Sequence, residues 1–343
     1  MTHHGSRFIL FPLGLILICV MGCWSSTQQE VVVYTALDSE FSAPIIEQFT
    51  TGSGLKPLPV YDAESTKTVG LFQRIRQEKS RPRCDVFWNN EILHTILLER
   101  EGLLQPYRVP TAERVREGYR SQTDSWTGFA ARARVLLVNT ELLPVVADRP
   151  TSIRDLADPR WRQQTAFARP FFGTTKTHFL VLFQQWGQEP SQQFFTELRR
   201  NAIMVDGNKQ VALAVARGQV AFGLTDTDDA IVEMEQGAPV VIVFPDQHTE
   251  GIGTLFIPNT VALIRGGPNP KQGKRLIDFL ISDTSERLLA EGASAQFPVL
   301  DGSTKSRLYP QGDLRWMDVD FEAVADTSED GMELLVEIFH ESD

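Results

Sequence analysis

Short runs of β-branched and aromatic residues recur along this chain, each handing over to a stretch with helical spacing, and that alternation restricts the fold more than any other feature. Val31-Val32-Val33-Tyr34-Thr35 reads as a buried strand ending at a loop that carries Asp38 and Ser39. The stretch from Pro44 to Phe49 reads as a helix stopped by Gly52 and Gly54. A strand from Leu58 to Tyr61 runs into residues 62–68, where Ser65 can cap a helix bearing Val69, Leu71, Phe72 and Ile75. Asp85 to Trp88 is a third strand, followed by a helix with Ile92, Ile96, Leu97 and Leu98. A second alternating unit follows: strands at Arg134 to Val138, Phe167-Ala168, Ile203 to Val205 and Val220 to Leu224, then return strands at Val240 to Phe244, Leu255 to Ile257 and Val261 to Ile264. Strand alternating with helix implies an α/β layer with a mostly parallel sheet. The chain has 343 residues, enough for two cores. With no Pro-rich linker or repeat between the halves, two lobes joined by chain crossovers are expected rather than two separate beads.

The N-terminus reads as an address. Arg7 precedes an apolar stretch from Phe8 to Gly22, shorter than the roughly 20 residues a spanning helix needs, and Val20-Met21-Gly22-Cys23 resembles a bacterial lipobox. Residues 1–22 are therefore expected to be a lipoprotein signal peptide, with Cys23 as the lipidated residue and residues 23–29 as a polar tether. Lipid on Cys23 would hold the domain at a membrane it does not cross. The chain has three cysteines, and loss of Cys19 with the leader leaves Cys84 as the one thiol of the folded part, read as a small core residue. A formal charge of -11 argues against a nucleic-acid partner, which selects a basic face.

Motifs for catalysis are missing. No His pair stands at zincin spacing, no nucleophile elbow occurs, and the glycines at Gly251 and Gly253 lack the third member of a dinucleotide loop. An enzyme is not expected.

Ligands of open α/β sheets bind at the carboxyl ends of the strands. Those ends collect Asp38, residues 62–68 with Glu64, Asn89-Asn90-Glu91, Gly173-Thr174-Thr175, Asn208 and Asp226-Thr227-Asp228-Asp229. Three carboxylates in four residues repel one another, so they need a cation, a basic neighbour or helix-start amides. Two readings stand: helix caps, or a site with Asp228 and Asp229 as ligands and Asp226 in support. Gly173, Thr174 and Thr175 open a helix and offer amides to an anion. Arg132 and Arg134, beyond Trp126-Thr127-Gly128-Phe129, either grip a carboxylate or phosphate or form a structural ion pair.

Taken together these segments resemble the ferric-iron class of substrate-binding proteins of bacterial ABC importers. The likeness is carried by Val32-Val33-Tyr34, Asp85-Val86-Phe87-Trp88, Glu101 to Pro106, Trp126-Thr127-Gly128 with Arg132 to Val135, Gly173-Thr174, Gly207-Asn208, Gly218 to Leu224 and Trp316 to Asp320. It implies a type 2 periplasmic binding protein fold, α/β with two lobes, each a mixed sheet flanked by helices, and a ligand cleft between them. Lobe 1 is expected at 30–126 and 258–305, and lobe 2 with closing helices at 127–257 and 306–343. It further implies a periplasmic or other extracytoplasmic location, a monomer, an ABC permease and its ATPase as partners, and no resident cofactor. The cargo it implies is a metal cation, Fe(III) first, with a synergistic anion near Gly173, Thr174 and Asn208. The family's adjacent tyrosines correspond here to Asp228 and Asp229, its first-loop histidine to Asp38, and its acidic second-loop ligand to Glu64, with Thr66 as competitor. The rival cargo is an organic cation of polyamine or thiamine type, for which Tyr34, Tyr61, Trp88 and Trp126 would be stacking candidates; a sensor delivering its ligand-bound state to a receptor is the other alternative.

Overall fold

The computed structural model describes residues 1–2, 29–62 and 69–340. The leader, the lipobox with Cys23, most of the tether, and Glu64 and Thr66 all lie outside the described residues. Among the described residues no helix is long and apolar enough to cross a membrane.

The first half builds β1 (Glu30–Thr35), α1 (Ser39–Ser53), β2 (Lys56–Tyr61), α2 (Val69–Gln77), β3 (Val86–Asn89), α3 (Leu93–Arg100) and the short β4 (Leu104–Gln105). β1 lies between β2 and β3, parallel to both, as the alternation requires. α1 begins five residues before Pro44, which sits inside it; the Ser42 hydroxyl turns back onto the carbonyls of Leu37 and Asp38 (3.1 and 2.9 Å). Gly54, at φ 68°, ends α1 in the left-handed conformation that glycine adopts without a Cβ penalty.

Two long strands then join the halves. β5 (Thr127–Asn139) pairs antiparallel with β10 (Phe256–Ile264) through its first half. Its second half pairs with β8 (Phe222–Asp226) and β9 (Val240–Val243). Beyond β8 lie β6 (Thr165–Ala168) and β7 (Ile203–Val205), giving the order β2-β1-β3-β10-β5-β8-β6-β7. The return strands expected at 255–257 and 261–264 are one strand, β10, and it runs through position 258. Pro258 is accommodated because the ladder shifts register between Pro258 and Asn259. Opposite that shift Ala130 is extruded at φ 39°; its N–H is taken by Glu286 Oε2 (3.1 Å) and its carbonyl by the Asn259 side chain.

Helices cover both half-sheets: α4 (Gly173–Trp186), α5 (Gln188–Asn201), α6 (Asn208–Ala216) and α7 (Thr227–Glu235) in the second, α8 (Pro270–Leu280) and α9 (Asp283–Glu291) in the first. The chain closes with α10 (Phe321–Asp326), against α3 and α4, and α11 (Ser328–Phe339), against α4 and α5. Phe339 enters a cluster with Phe167, Phe179 and Phe195 at centroid separations of 5.4 to 6.1 Å. α11 approaches α4 so closely that a Cβ on Gly331 would lie 2.6 Å from Leu180 Cδ2. Cys84 is buried in the core, and burial pushes its thiol well above the ordinary range.

Candidate functional site

β5 exposes alternate residues to one face, so Arg132 and Arg134 project together. Across the antiparallel ladder Arg134 stands directly opposite Asp226, the last residue of β8. Their side chains meet: Arg134 Nη1 donates to Asp226 Oδ1 at 2.7 Å, with the guanidinium fully buried. The same carboxylate accepts from Thr174 Oγ1 (2.6 Å), Asn208 Nδ2 (3.0 Å) and Arg132 Nη1 (3.4 Å). Burial alone would push the Asp226 carboxyl up; Arg134 and Arg132 outweigh it and hold it low. Arg134 also donates to Thr174, Thr175 and Asn208. Of the two readings left open for Arg134, the buried ion pair is the one observed.

Asp226 precedes α7, and Asp228 and Asp229 fall in its first turn, where a carboxylate meets the positive end of the helix. Asp228 is buried, accepts from Arg132 Nη1 at 3.3 Å and receives the Asp229 N–H at 3.1 Å. Carboxylate oxygens of Asp226, Asp228 and Asp229 all lie within 4.8 Å of one another. Arg132 also donates to the Asn90 carbonyl, tying β5 to the turn after β3. Burial works against a charged Arg132, yet the fields of Asp228, Asp226, Asp229 and Asp38 hold its guanidinium above its ordinary value.

These groups border a cavity of about 820 Å³. Asp38 reaches it from the β1–α1 turn, Asn90 from the β3–α3 turn and Arg132 from β5; Gly173, Thr174 and Thr175 from the start of α4, Asn208 from α6, and Asp226, Asp228 and Asp229 from β8 and α7. Both half-sheets contribute at the carboxyl ends of their strands.

Tyr34 and Trp88, expected to line the cleft, do not. Tyr34 points under the sheet, where its hydroxyl donates to the Glu78 carboxylate (3.0 and 3.2 Å) and Arg74 lies over its ring; burial raises its pKa. Trp88 is fully buried, with Nε1 on Asn259 Oδ1 at 3.3 Å. Trp126 is turned to Glu99 and Tyr61 lies at the exposed edge of β2. The aromatic rings that do border the cavity are Phe41 and Phe172. The sequence pattern marks neither: Phe41 lies in the part of α1 upstream of Pro44, and Phe172 precedes the Gly173-Thr174-Thr175 helix start. Glu40, Asp206, which pairs with Arg169 at 3.1 Å, and Glu233 complete the acidic wall, and no motif in the sequence marks them.

The chain matches the family model of bacterial extracellular solute-binding proteins over residues 92–323. It belongs to that family. The solute-binding role, rather than catalysis, follows from that membership. Among its curated relatives is iron uptake protein A1 of Synechocystis, 26% identical over 286 residues, covering 80% of this chain and 77% of the relative. The major ferric iron-binding protein of Neisseria meningitidis is 22% identical over 275 residues, covering 79% and 81%. Among solved structures, iron-bound HitA from Pseudomonas aeruginosa aligns at TM-score 0.81 and 20% identity, over 91% of this chain and 99% of that one. AfuA from Actinobacillus pleuropneumoniae, with fructose-6-phosphate bound, aligns at 0.79 and 22%, over 92% and 100%. At such identities the structural likeness establishes the two-lobed fold of this solute-binding protein.

Proposed function

We propose that this solute-binding protein serves an ABC importer, holding a metal cation, ferric iron first, between its lobes and passing it to the permease and its ATPase. The observation that carries the reading is the charge of the cavity wall. Among the described residues seven carboxylate side chains border the cavity against three basic ones, and the three around the start of α7 each bring an oxygen within 4.8 Å of the others. Carboxylate oxygens are hard donors, suited to hard cations. Asp228 and Asp229 are the proposed ligands, joined by Asp38 from the other lobe and by Glu64; Asp226, committed to Arg134, supports them. Gly173, Thr174, Thr175 and Asn208 form the edge at which an accompanying anion is proposed to sit. The iron-related names of the relatives favour the same cargo. The lobes are proposed to comprise 30–126 with 258–305 and 127–257 with 306–343, the protein to act as a monomer outside the cytoplasm, and Cys23 to carry the lipid that tethers it.

A second reading, an organic cation of polyamine or thiamine type, is favoured by the 820 Å³ of the cavity, far more than an ion requires, and by the rings of Phe41 and Phe172 in its wall. A thermal-shift screen of chelator-free protein against Fe(III) supplied as citrate, Mn(II), Ca(II) and spermidine separates the two. A specific ligand at a hundred times its Kd adds about 2.7 kcal/mol. A metal shift abolished by Asp229→Asn and kept by Phe172→Ala supports the first reading; the reverse pattern with spermidine supports the second, and no metal shift at all refutes the first.

A further inference from the structure

The closing helices touch both halves of the molecule. α11 is seated on the second half: Phe339 joins the rings of Phe167, Phe179 and Phe195, and Gly331 lets the helix lie against Leu180 of α4. α10 stands in the corner between α3 and α4, which belong to different halves. Arg100, the last residue of α3, grips it at both ends. Its Nη2 donates to the Glu322 carbonyl at 3.0 Å and to the Glu322 carboxylate at 2.9 Å, and its Nη1 lies 2.9 Å from Asp326 Oδ1. Phe321, which is buried, adds a ring contact with Tyr119, centroids 6.0 Å apart. From the other side Gln185, in the last turn of α4, donates to the Asp318 carbonyl at 2.8 Å. A groove of about 1380 Å³ runs along this corner, walled by Arg120 and Trp126, by Gln184 and Gln185 of α4, and by Asp318 and Phe321.

One residue, Thr327, separates α10 from α11, and its bonds stiffen the joint. Its N–H and its hydroxyl both donate to the Ala323 carbonyl, at 3.3 and 3.2 Å, and the Gly331 N–H donates to the Thr327 carbonyl at 3.0 Å. Ser328 Oγ adds a bond to the Ala325 carbonyl at 2.8 Å. The two helices are thus braced as one body, and the ring cluster fastens that body to α4 and α5. Arg100, Glu322 and Asp326 do not border the cargo cavity.

We propose that α10 is a closure strap: carried by lobe 2 and gripped by Arg100 of lobe 1, it holds the lobes together and sets cargo retention from outside the binding cavity. The proposal rests on the two-lobed binding reading and on no particular cargo. Opening swings α3 away from α4 and draws Arg100 and Tyr119 off α10. Interactions made in one state and lost in the other bias the balance between them. Without the two Arg100 pairs the closed-to-open ratio falls roughly two- to thirtyfold, the span that two exposed ion pairs cover. Because these pairs face water, added salt weakens them as well.

The test uses ligand-free protein with spin labels at Glu47 and Thr196, exposed positions on α1 and α5, and reads inter-lobe distance distributions at low and high salt. Arg100→Met keeps the aliphatic stem and drops both pairs. It is expected to move population from short to long distances by that factor and to remove the salt response of the wild type. Glu322→Gln combined with Asp326→Asn takes the partners away from the other side and is expected to give the same shift; adding Arg100→Met to that pair goes no further. Arg287→Met breaks the Arg287–Glu291 pair, which lies within α9, and leaves the distribution in place. An Arg100→Met distribution that superimposes on the wild type, or one that Arg287→Met matches, overturns the strap. Because no solute is present, failure of the metal reading would register in the thermal-shift screen and leave this result untouched.

Discussion

Arg132 stands beside the proposed cation ligands, and its removal tests the charge argument directly. Its Nη1 lies 3.3 Å from Asp228 Oδ2. A hard cation bound to that oxygen sits about 2.0 to 2.6 Å from it and hence about 5 Å from the guanidinium. At an effective dielectric of about 20, two like unit charges at that distance repel by about 3 kcal/mol. Replacing Arg132 with Gln removes that repulsion while Arg134 still neutralises Asp226 at 2.7 Å. The expected result is cation binding tightened at least about a hundredfold, since each 1.4 kcal/mol is a factor of ten. Isothermal titration of wild type and Arg132→Gln with one metal under one buffer measures the ratio, with circular dichroism confirming that both are folded. Weaker binding in the variant would refute the reasoning: Arg132 would then be contacting the cargo or its accompanying anion rather than competing with it.

Three further outcomes follow from buried groups. Asp226→Asn leaves the fully buried Arg134 guanidinium without its counter-charge and is expected to cost about 3–5 kcal/mol in urea unfolding, with much of the loss recovered when Arg134→Met is added. Since the folded-state pKa of Asp226 is depressed, its contribution is present above the ordinary carboxylate range and is lost as pH falls through the folded value, which pH-dependent unfolding of wild type against the variant detects. Glu286 behaves oppositely: burial raises its carboxyl to about 7 despite the Val299 and Ala130 N–H donors. The stability it confers when protonated is full below the unfolded value near 4.3 and is lost as pH rises to 7, by roughly 3 kcal/mol, and Glu286→Gln should flatten that slope. Phe339→Ala, which empties the ring cluster holding α11, should cost about 3–5 kcal/mol by the same unfolding assay.

The alternation of strands and helices was legible because each buried parallel strand is a short continuous apolar run, and the acidic block after Leu224 was legible because three carboxylates in four residues demand an explanation. What escaped depended on pairing at long range. Pro258 reads as a break, and only the bulge at Ala130 on the partner strand makes it part of β10. Tyr34 looks like a cleft aromatic until the sheet face is known, because a strand residue one place out of phase points to the opposite side; here that side holds Glu78 and Arg74. Arg134 and Asp226 are 92 residues apart in sequence, and nothing local says that they share one rung of the ladder. That rung changes the meaning of the acidic block: Asp226 is already spoken for by Arg134, Thr174 and Asn208. The carboxylates left for a ligand in the proposed site are therefore those two and three residues further on, Asp228 and Asp229 in the first turn of α7, where Arg132 already holds Asp228 at 3.3 Å.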